Sequence, residues 1–161
     1  ASGERVGLVG ASGAGKSTLA KKLSDEQQLA HLDLDTLAWL PTTPPQRKPI
    51  NESAVEIRQF IANNNSWVIE GCYADLLDIA ATSATEIIFL NLPTETCIEN
   101  ANKRPWEPHK YPSKEVQNAN LSMLIEWLAQ YDVRTDTFSR QAHQVFYDGF
   151  SGKKTMHTEN Q

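Results

Sequence analysis

Cysteine is scarce in this 161-residue sequence, and the sequence also lacks long apolar runs and an excess of basic charge. The two cysteines, Cys72 and Cys97, have neither the spacing of a metal site nor that of a redox pair, so we expect reduced thiols. No stretch approaches the roughly 20 consecutive apolar residues of a bilayer-spanning helix, which excludes a transmembrane role. Fifteen Lys and Arg against 20 Asp and Glu give a net charge of −5, which disfavours a nucleic-acid-binding surface.

The length and composition predict a single domain. An apolar content of 40% over 161 residues is enough for one hydrophobic core and too little for two ordinary domains, so we assign residues 1–161 to one domain. The first residues contain no basic segment followed by an apolar run, so we expect no secretory signal and a cytoplasmic protein. The oligomeric state is left open.

Glycine and proline are concentrated in three zones. Five of the eight glycines lie within the first 15 residues, and seven of the eight prolines lie in residues 41–49 and 105–112. Glycine permits backbone conformations that other residues avoid, and proline ends helices. These zones are therefore predicted to be irregular, with one loop at about 39–50 and a second at about 104–113.

Continuous apolar runs alternate with helical periods along the chain. Such runs are typical of strands that are covered on both faces, as in parallel sheets. Four strands are predicted at Arg5–Gly10, Leu29–Asp33, Ser66–Glu70 and Glu86–Asn91, and a fifth at either Gln144–Tyr147 or, preferably, Lys153–Thr158. The alternation of strands and helices predicts an α/β fold of three layers, α/β/α, around a five-stranded and mostly parallel sheet.

Three of the predicted helices have an apolar period that can be assigned to one face. Asn51 is expected to cap a helix with Val55 on its buried side, and Ser113 to cap another with Val116 on its buried side. After a break near Tyr131, a third helical period includes Val145 among its apolar positions.

One segment carries a strong functional signal. Residues 10–18 read GASGAGKST, which contains the pattern G-x-x-x-x-G-K-[ST], and a predicted strand precedes it while a helical period follows. That context is the one in which this pattern forms a P-loop for a nucleotide triphosphate. The predicted nucleotide-binding residues are Gly10, Ala11, Ser12, Gly13, Ala14, Gly15, Lys16, Ser17 and Thr18.

The residue types explain how this loop would hold a phosphate chain. Backbone N–H groups approach phosphate closely where side chains are absent, and the helix that starts near Lys16 directs further N–H groups to the same place. The Lys16 ammonium can reach the β- and γ-phosphates. The Ser17 hydroxyl is the expected Mg²⁺ ligand, and Thr18 can support an adjacent phosphate.

Two carboxylates follow the second predicted strand in the segment His31–Asp35, which reads HLDLD. Together with the P-loop, this segment resembles the P-loop kinases of small molecules, the nucleoside-monophosphate kinase and shikimate kinase group. The resemblance to the D-x-D of shikimate kinases implies that Asp33 helps to hold Mg²⁺ and that Asp35 binds the acceptor hydroxyl and accepts its proton. Side chains two residues apart on an extended strand share a face, so both can point into one cleft.

Trp67–Gly71, which reads WVIEG, is similar to the strand of monophosphate kinases that ends in Asp-Gly, with Glu70 in place of the aspartate. The resemblance implies that Glu70 orders magnesium-bound water and that Gly71 leaves room for the acceptor. An ordinary charged residue at a strand end is the other interpretation of Glu70.

Three arginines are candidates for the cation that stabilises the transferring phosphate. Lys103, Arg104 and Pro105 resemble the lid entry of shikimate kinases, which makes Arg104 the first choice for a catalytic residue. Arg134 and Arg140 are weaker candidates for substrate binding, since each is equally well interpreted as a surface residue.

A second resemblance covers nearly the whole chain. The segments HLD followed by a tryptophan and a proline-rich stretch, then WVIEGCY, then IIFLNLP with a cysteine a few residues later, are similar to the small adenylate-kinase-like P-loop proteins known as DNA topology modulation proteins. The chain departs from those relatives at Glu70, Cys72 and Asn91, and its lid segment has fewer arginines.

Taken together, these features predict a phosphotransferase that uses ATP and Mg²⁺. Lys16, Asp35 and Arg104 would be catalytic, Ser17, Asp33 and Glu70 would serve the metal, and a small-molecule acceptor (a nucleotide, nucleoside or hydroxy acid) would lie near Asp35 and Gly71. The alternative is a regulatory protein that binds or hydrolyses ATP without a small-molecule acceptor. Its sequence support is the second resemblance, while the net charge and the lack of a basic patch oppose a nucleic-acid partner.

Overall fold

The computed structural model describes residues 4–11, 13–40, 46–103, 108 and 112–159. The strands among them are β1 Arg5–Gly10, β2 Ala30–Asp33, β3 Trp39–Leu40, β4 Gln46–Arg47, β5 Trp67–Gly71, β6 Glu86–Leu90 and β7 Lys153–His157. The helices are α1 Lys16–Gln27, α2 Ile50–Asn63, α3 Ala74–Ala81, α4 Thr94–Lys103, α5 Lys114–Ala129 and α6 Arg140–Gly149, and a 3₁₀ turn spans Leu34–Thr36.

Five strands form one sheet in the order β2-β5-β1-β6-β7, and every neighbouring pair is parallel. This confirms the predicted α/β class and the parallel sheet. The last strand is Lys153–His157, so the preferred of the two predicted positions is confirmed. Crossover connections through helices are what a parallel sheet requires, and they explain why strands and helices alternate along the chain.

Alternate residues of the strands enter two separate cores, one on each face of the sheet. On one face, Leu8 and Ile88 pack with residues of α1, α4 and α5, including Ala20, Cys97 and Leu128. The other core includes Val9 and Phe89 from the sheet together with Ile57, Leu77 and Phe146 from α2, α3 and α6. The molecule therefore has three layers, and both faces of β1 are covered.

The segment 39–50 is not entirely irregular, which corrects the sequence-based prediction. Trp39 pairs with Arg47 and Leu40 with Gln46 in an antiparallel ladder between β3 and β4. The following helix α2 begins at Ile50 with Pro49 at its cap position, so Asn51 lies inside the first turn and does not cap it. Proline suits a helix start because it has no N–H to leave unpaired.

Three valines at apolar positions of the predicted helices are exposed, and two of them, Val55 and Val116, were predicted to be buried. Val55, Val116 and Val145 are 51%, 39% and 66% exposed. In α2 the buried residues are Ser53, Ala54 and Ile57, so Val55 lies off the buried face. By contrast Ser113 caps α5 as predicted, since its side chain accepts a hydrogen bond of 3.2 Å from the Val116 N–H.

His143 of α6 links the residue Tyr131, which follows α5, to Cys72, which follows strand β5. It is completely buried, with Nδ1 at 2.7 Å from the Tyr131 hydroxyl and Nε2 at 2.8 Å from the Cys72 carbonyl oxygen. Burial lowers the pKa of His143 to about 4, and the positive charges of Lys16 and Arg140 act in the same direction. The residue is therefore a neutral imidazole at physiological pH, and both of its nitrogens are hydrogen-bonded.

Two sequence expectations about the chain as a whole can be compared with the described residues. Cys72 and Cys97 are both buried free thiols, as expected. In the part of the chain that the structure describes, no helix is long and apolar enough to cross a bilayer.

Candidate functional site

The predicted P-loop follows β1, the central strand, at the carboxyl edge of the sheet. Gly13 and Gly15 have φ angles of +81° and +91°, a left-handed conformation that favours glycine. A Cβ added to Gly13 would lie 2.4 Å from the Cys97 carbonyl oxygen, so the loop packs directly on α4. The Asn100 amide also donates a hydrogen bond of 2.8 Å to the Gly13 carbonyl. The shape of the loop is thus held by α4, which the motif alone did not reveal.

The start of α1 provides the positive end of the loop. Gly15 is the N-cap residue, it makes no side-chain cap, and the first turn contains no acidic residue. The Lys16 ammonium donates a hydrogen bond of 2.8 Å to the Ala11 carbonyl, so the side chain lies back over the loop. A helix N-terminus with N–H groups not capped by a side chain and an adjacent ammonium is suited to anions. Ser12, which was predicted to belong to this loop, lies outside the described residues.

A buried carboxylate joins the P-loop to the neighbouring strand β5. Ser17 Oγ donates a hydrogen bond of 2.9 Å to Glu70 Oε1, and Glu70 is 1% exposed. The second oxygen, Oε2, is hydrogen-bonded to His31 Nε2 of β2. The hydrogen bond to Glu70 raises the pKa of His31 above its usual value, while partial burial opposes the shift. Glu70 is therefore paired on both oxygens, with the P-loop on one side and a histidine on the other.

Asp33 ends β2 next to Glu70, since the two residues are register partners. Its carboxylate accepts a hydrogen bond of 2.9 Å from the Asp35 N–H and so caps the 3₁₀ turn Leu34–Thr36. Asp33 thus has a structural role at the start of the turn, which the resemblance to shikimate kinases did not suggest.

Asp35 is exposed and is held by an aromatic pair. The Tyr73 hydroxyl donates to Asp35 Oδ1, and it accepts a hydrogen bond of 2.8 Å from Trp39 Nε1. Burial raises the pKa of Tyr73 well above its usual value, so the phenol keeps its proton and acts as a donor. Tyr73 follows β5 and Trp39 begins β3, so the segment 39–50 is tied to the strand end through this contact.

Gly71 has a packing reason to be glycine. A Cβ at this position would lie 2.9 Å from Leu34 Cδ1 and 3.1 Å from Tyr73 Cδ1. The 3₁₀ turn that carries Asp35 therefore packs closely on the end of β5. This close approach brings the ends of β2 and β5 together.

The predicted arginines differ in their surroundings. Arg140 donates to Asp132, to Asn91 Oδ1 and, at 3.1 Å, to the Leu92 carbonyl, and its guanidinium lies 4.4 Å from the centre of the Tyr131 ring. The hydrogen bond from Arg140 lowers the pKa of Asp132. Arg140 therefore ties α6 to the segment that follows β6, at the carboxyl edge of the sheet.

Arg134 pairs with Asp136, and its guanidinium lies 4.7 Å from the centre of the Trp127 ring. Arg47, to which the sequence assigned no role, has a similar environment: it is 3.3 Å from Asp75 Oδ2 and 5.0 Å from the centre of the Tyr73 ring. Arg104 and most of the predicted lid at 104–113 lie outside the described residues.

A groove in the described part of the chain lies away from the P-loop. It has a volume of about 890 Å³ and runs between α3 and α6, with Asp78, Ala142 and Phe146 among its lining residues. The candidate site is therefore defined by the P-loop and the strand-end side chains, and this groove is separate from it.

Sequence comparison assigns the chain to a family. A family model described as an AAA domain matches residues 6–120, which include the P-loop and the ends of β2 and β5. The chain belongs to this family. An uncharacterized protein of Bacillus subtilis (strain 168), YqaC, is 25% identical over 146 residues, which cover 88% of this chain and 80% of that protein.

The solved structures with a similar fold include two shikimate kinases. The shikimate kinase of Acinetobacter baumannii in complex with shikimate has a TM-score of 0.56 at 14% identity, covering 99% of this chain and 86% of that one. The shikimate kinase of Bacteroides thetaiotaomicron has a TM-score of 0.53 at 16% identity, covering 96% and 86%. At this identity the likeness concerns the fold. The resemblance to P-loop small-molecule kinases, which was inferred from the sequence, is confirmed at the level of the fold.

Sequence reasoning assigned no role to four residues at or next to the predicted site. His31 contacts Glu70 and Tyr73 contacts Asp35, while Trp39 and Arg47 contact Tyr73. His31 could have been found, because it lies two residues before Asp33 on a strand and so shares its face. Tyr73 and Arg47 could not, since their contacts join segments that are distant in sequence.

Proposed function

We propose that this protein is a phosphotransferase that moves the γ-phosphate of MgATP to a small-molecule acceptor. Support comes from the kinase-like P-loop fold and from two distinct carboxylate positions at one edge of the sheet. Glu70 is hydrogen-bonded to the P-loop serine, whereas Asp35 is exposed and held by Tyr73. In parallel α/β sheets, ligands bind at the carboxyl ends of the strands, which is where both residues lie.

The residues on the nucleotide side fit a magnesium nucleotide. Ser17, Asp33 and Glu70 supply hydroxyl and carboxylate oxygens, the donor type that Mg²⁺ prefers. Among the described residues, no group of three or more His, Cys, Asp or Glu could hold a metal by itself. That fits Mg²⁺, which is usually bound through one or two protein groups together with phosphate oxygens and water. When bound, the ion neutralises charge on the β- and γ-phosphates.

The protein groups then have separate tasks. The backbone N–H groups of the P-loop and the Lys16 ammonium bind the phosphate oxygens. Ser17 donates its proton to Glu70, so its oxygen lone pairs can face the metal. Because the transferred phosphoryl group spreads charge over its oxygens, positioned cations supply most of the catalysis. Arg104 is proposed as the arginine that does this, with Arg134 and Arg140 as further candidates for substrate contacts.

Asp35 is proposed as the acceptor-side base. The acceptor hydroxyl oxygen forms a bond to the γ-phosphorus, the bond from that phosphorus to the β,γ-bridging oxygen breaks, and the hydroxyl proton goes to the Asp35 carboxylate. The Tyr73 hydroxyl holds this carboxylate, so its orientation is set before the acceptor binds. Gly71 is proposed to serve the acceptor side through packing, since its lack of a side chain lets the turn that carries Asp35 lie close to the end of β5.

The observation that carries the proposal is the hydrogen bond of 2.9 Å between Ser17 and the strand-end carboxylate Glu70. The proposal is tested by incubating the protein with γ-labelled ATP and a panel of nucleosides, nucleotides, hydroxy acids and sugars. Transfer of label to a panel member is expected. Hydrolysis without transfer to any member would contradict the proposal and favour a regulatory ATPase.

A further inference from the structure

Glu70 is a buried carboxylate whose two oxygens have different partners. The Ser17 hydroxyl donates to Oε1 at 2.9 Å, and His31 Nε2 is hydrogen-bonded to Oε2. The side chain of Glu70 is 2% exposed, whereas that of His31 is 30% exposed. A buried carboxylate is stable only when its oxygens are hydrogen-bonded, so the imidazole satisfies the oxygen that the P-loop does not reach.

The strand register explains how His31 reaches this carboxylate. His31 pairs with Val68 and Asp33 with Glu70, so all of these side chains point to the face that α1 covers. Val68, the register partner of His31, belongs to the apolar core under α1. An apolar residue at position 31 would therefore be compatible with the sheet but would leave one oxygen of Glu70 without its partner.

The direction of the hydrogen bond follows from the chemistry of the two groups. A carboxylate can only accept, so His31 Nε2 carries the proton, and it does so both in the corresponding neutral tautomer and in the imidazolium form. The direction of the hydrogen bond is thus the same in either charge state, and the imidazolium form adds an ionic attraction to Glu70. Likewise Ser17 must donate its single hydroxyl proton to Glu70, which leaves only lone pairs on the serine oxygen to face a cation.

We propose that His31 is a positioning residue for magnesium, acting through Glu70. It fixes the carboxylate so that Oε1 accepts the Ser17 proton, and the serine oxygen then presents its lone pairs to the metal of MgATP. This inference rests on the proposed function. Groups that orient metal ligands from behind commonly change metal affinity by about 10- to 100-fold when they are removed.

The test separates the magnesium-dependent part of nucleotide binding from the rest. Calorimetry gives the dissociation constant of ATP with saturating Mg²⁺ and with EDTA, and the ratio of the two is the magnesium gain. His31→Leu, which removes the donor, is expected to reduce this gain by about 10-fold or more while changing the metal-free constant little. His31→Gln is the matched control, because its amide can donate from nearly the same place, and it is expected to keep the gain.

A double-variant measurement distinguishes positioning from a purely structural role. In a Ser17→Ala background, His31→Leu is expected to cause no further loss of the magnesium gain, because the hydroxyl that Glu70 orients is absent. Thermal melting of each variant identifies any loss of folded protein. A magnesium gain of His31→Leu equal to that of the wild type would overturn the inference, whether the two dissociation constants are both unchanged or both raised by the same factor.

The wild-type titration separates this inference from the function on which it rests. Failure of the wild type to bind MgATP would overturn both. Binding of MgATP by the wild type with an unchanged gain in His31→Leu would overturn the role of His31 alone.

Discussion

Replacing Lys16 by alanine is expected to remove nearly all phosphotransfer while the fold is retained. Among the described residues, the ammonium donates a hydrogen bond of 2.8 Å to the Ala11 carbonyl. Losing one such bond costs about 1 kcal/mol of folding free energy, which corresponds to a fall in Tm of about 2–4 °C for a chain of this size. Alanine also favours the helix that begins at this residue.

The functional loss is expected to be far larger. A hydrogen bond between an ammonium and a phosphate contributes about 1.5–3 kcal/mol, so MgATP binding should weaken by about 10- to 100-fold. In the transition state the charge on the γ-phosphate oxygens is stabilised by the same group. Removing one such donor typically costs a further factor of about 100–1000 in kcat.

The assay is release of ADP or transfer of labelled phosphate, with calorimetry for nucleotide affinity and circular dichroism for the fold. Lys21→Ala is the matched control, since Lys21 is an exposed lysine of the same helix. Turnover by Lys16→Ala within about threefold of the control would refute the assignment of this loop as a phosphate site. Loss of the circular-dichroism signal would mean that the fold, rather than the chemistry, depends on Lys16.

Three further predictions concern the acceptor side, the loop and the core. Asp35→Asn is expected to keep MgATP affinity near the wild-type value and to lose transfer, because only the proton acceptor is removed; equal losses in both would move Asp35 to the metal side. Gly13→Ala is expected to destabilise the fold by about 2 kcal/mol or more, since φ is +81° and the new Cβ would meet the Cys97 carbonyl at 2.4 Å, whereas Gly149→Ala, with open space around it, is not. Chemical denaturation of the two glycine variants measures the difference. For the buried neutral His143, whose pKa is lowered from 6.5 to about 4, the unfolded chain binds a proton before the folded one as the pH falls. The contribution of His143 to folding stability is therefore expected to be fully present above about pH 6.5 and to fall by about 2–3 kcal/mol towards pH 4, and His143→Leu removes this contribution from the total pH dependence; an unchanged slope in that variant would contradict the assignment.

The elements with a strong local signal were predicted well. The run Arg5–Gly10 and the glycine-rich loop after it were identified because they depend on residues adjacent in sequence. The same holds for the Ser113 cap, in which a side chain bonds a backbone N–H three residues later. By contrast the ladder between β3 and β4 was missed, because prolines in the segment suggested irregular structure while the pairing depends on Trp39 and Arg47 meeting across it.

The sequence alone determined the class of the protein: a P-loop after a buried strand, carboxylates at strand ends and alternating elements, all of which are local patterns with a physical cause. Only the tertiary structure determined how those side chains are held. The buried pairing of Glu70 with Ser17 and His31, and the contact of Asp35 with Tyr73, join the ends of β2 and β5 to each other and to α1. Such contacts depend on strand order and register, which arise from packing the whole sheet against two layers of helices. A local pattern can place His31 on the same face as Asp33, but it cannot assign Glu70 as its partner.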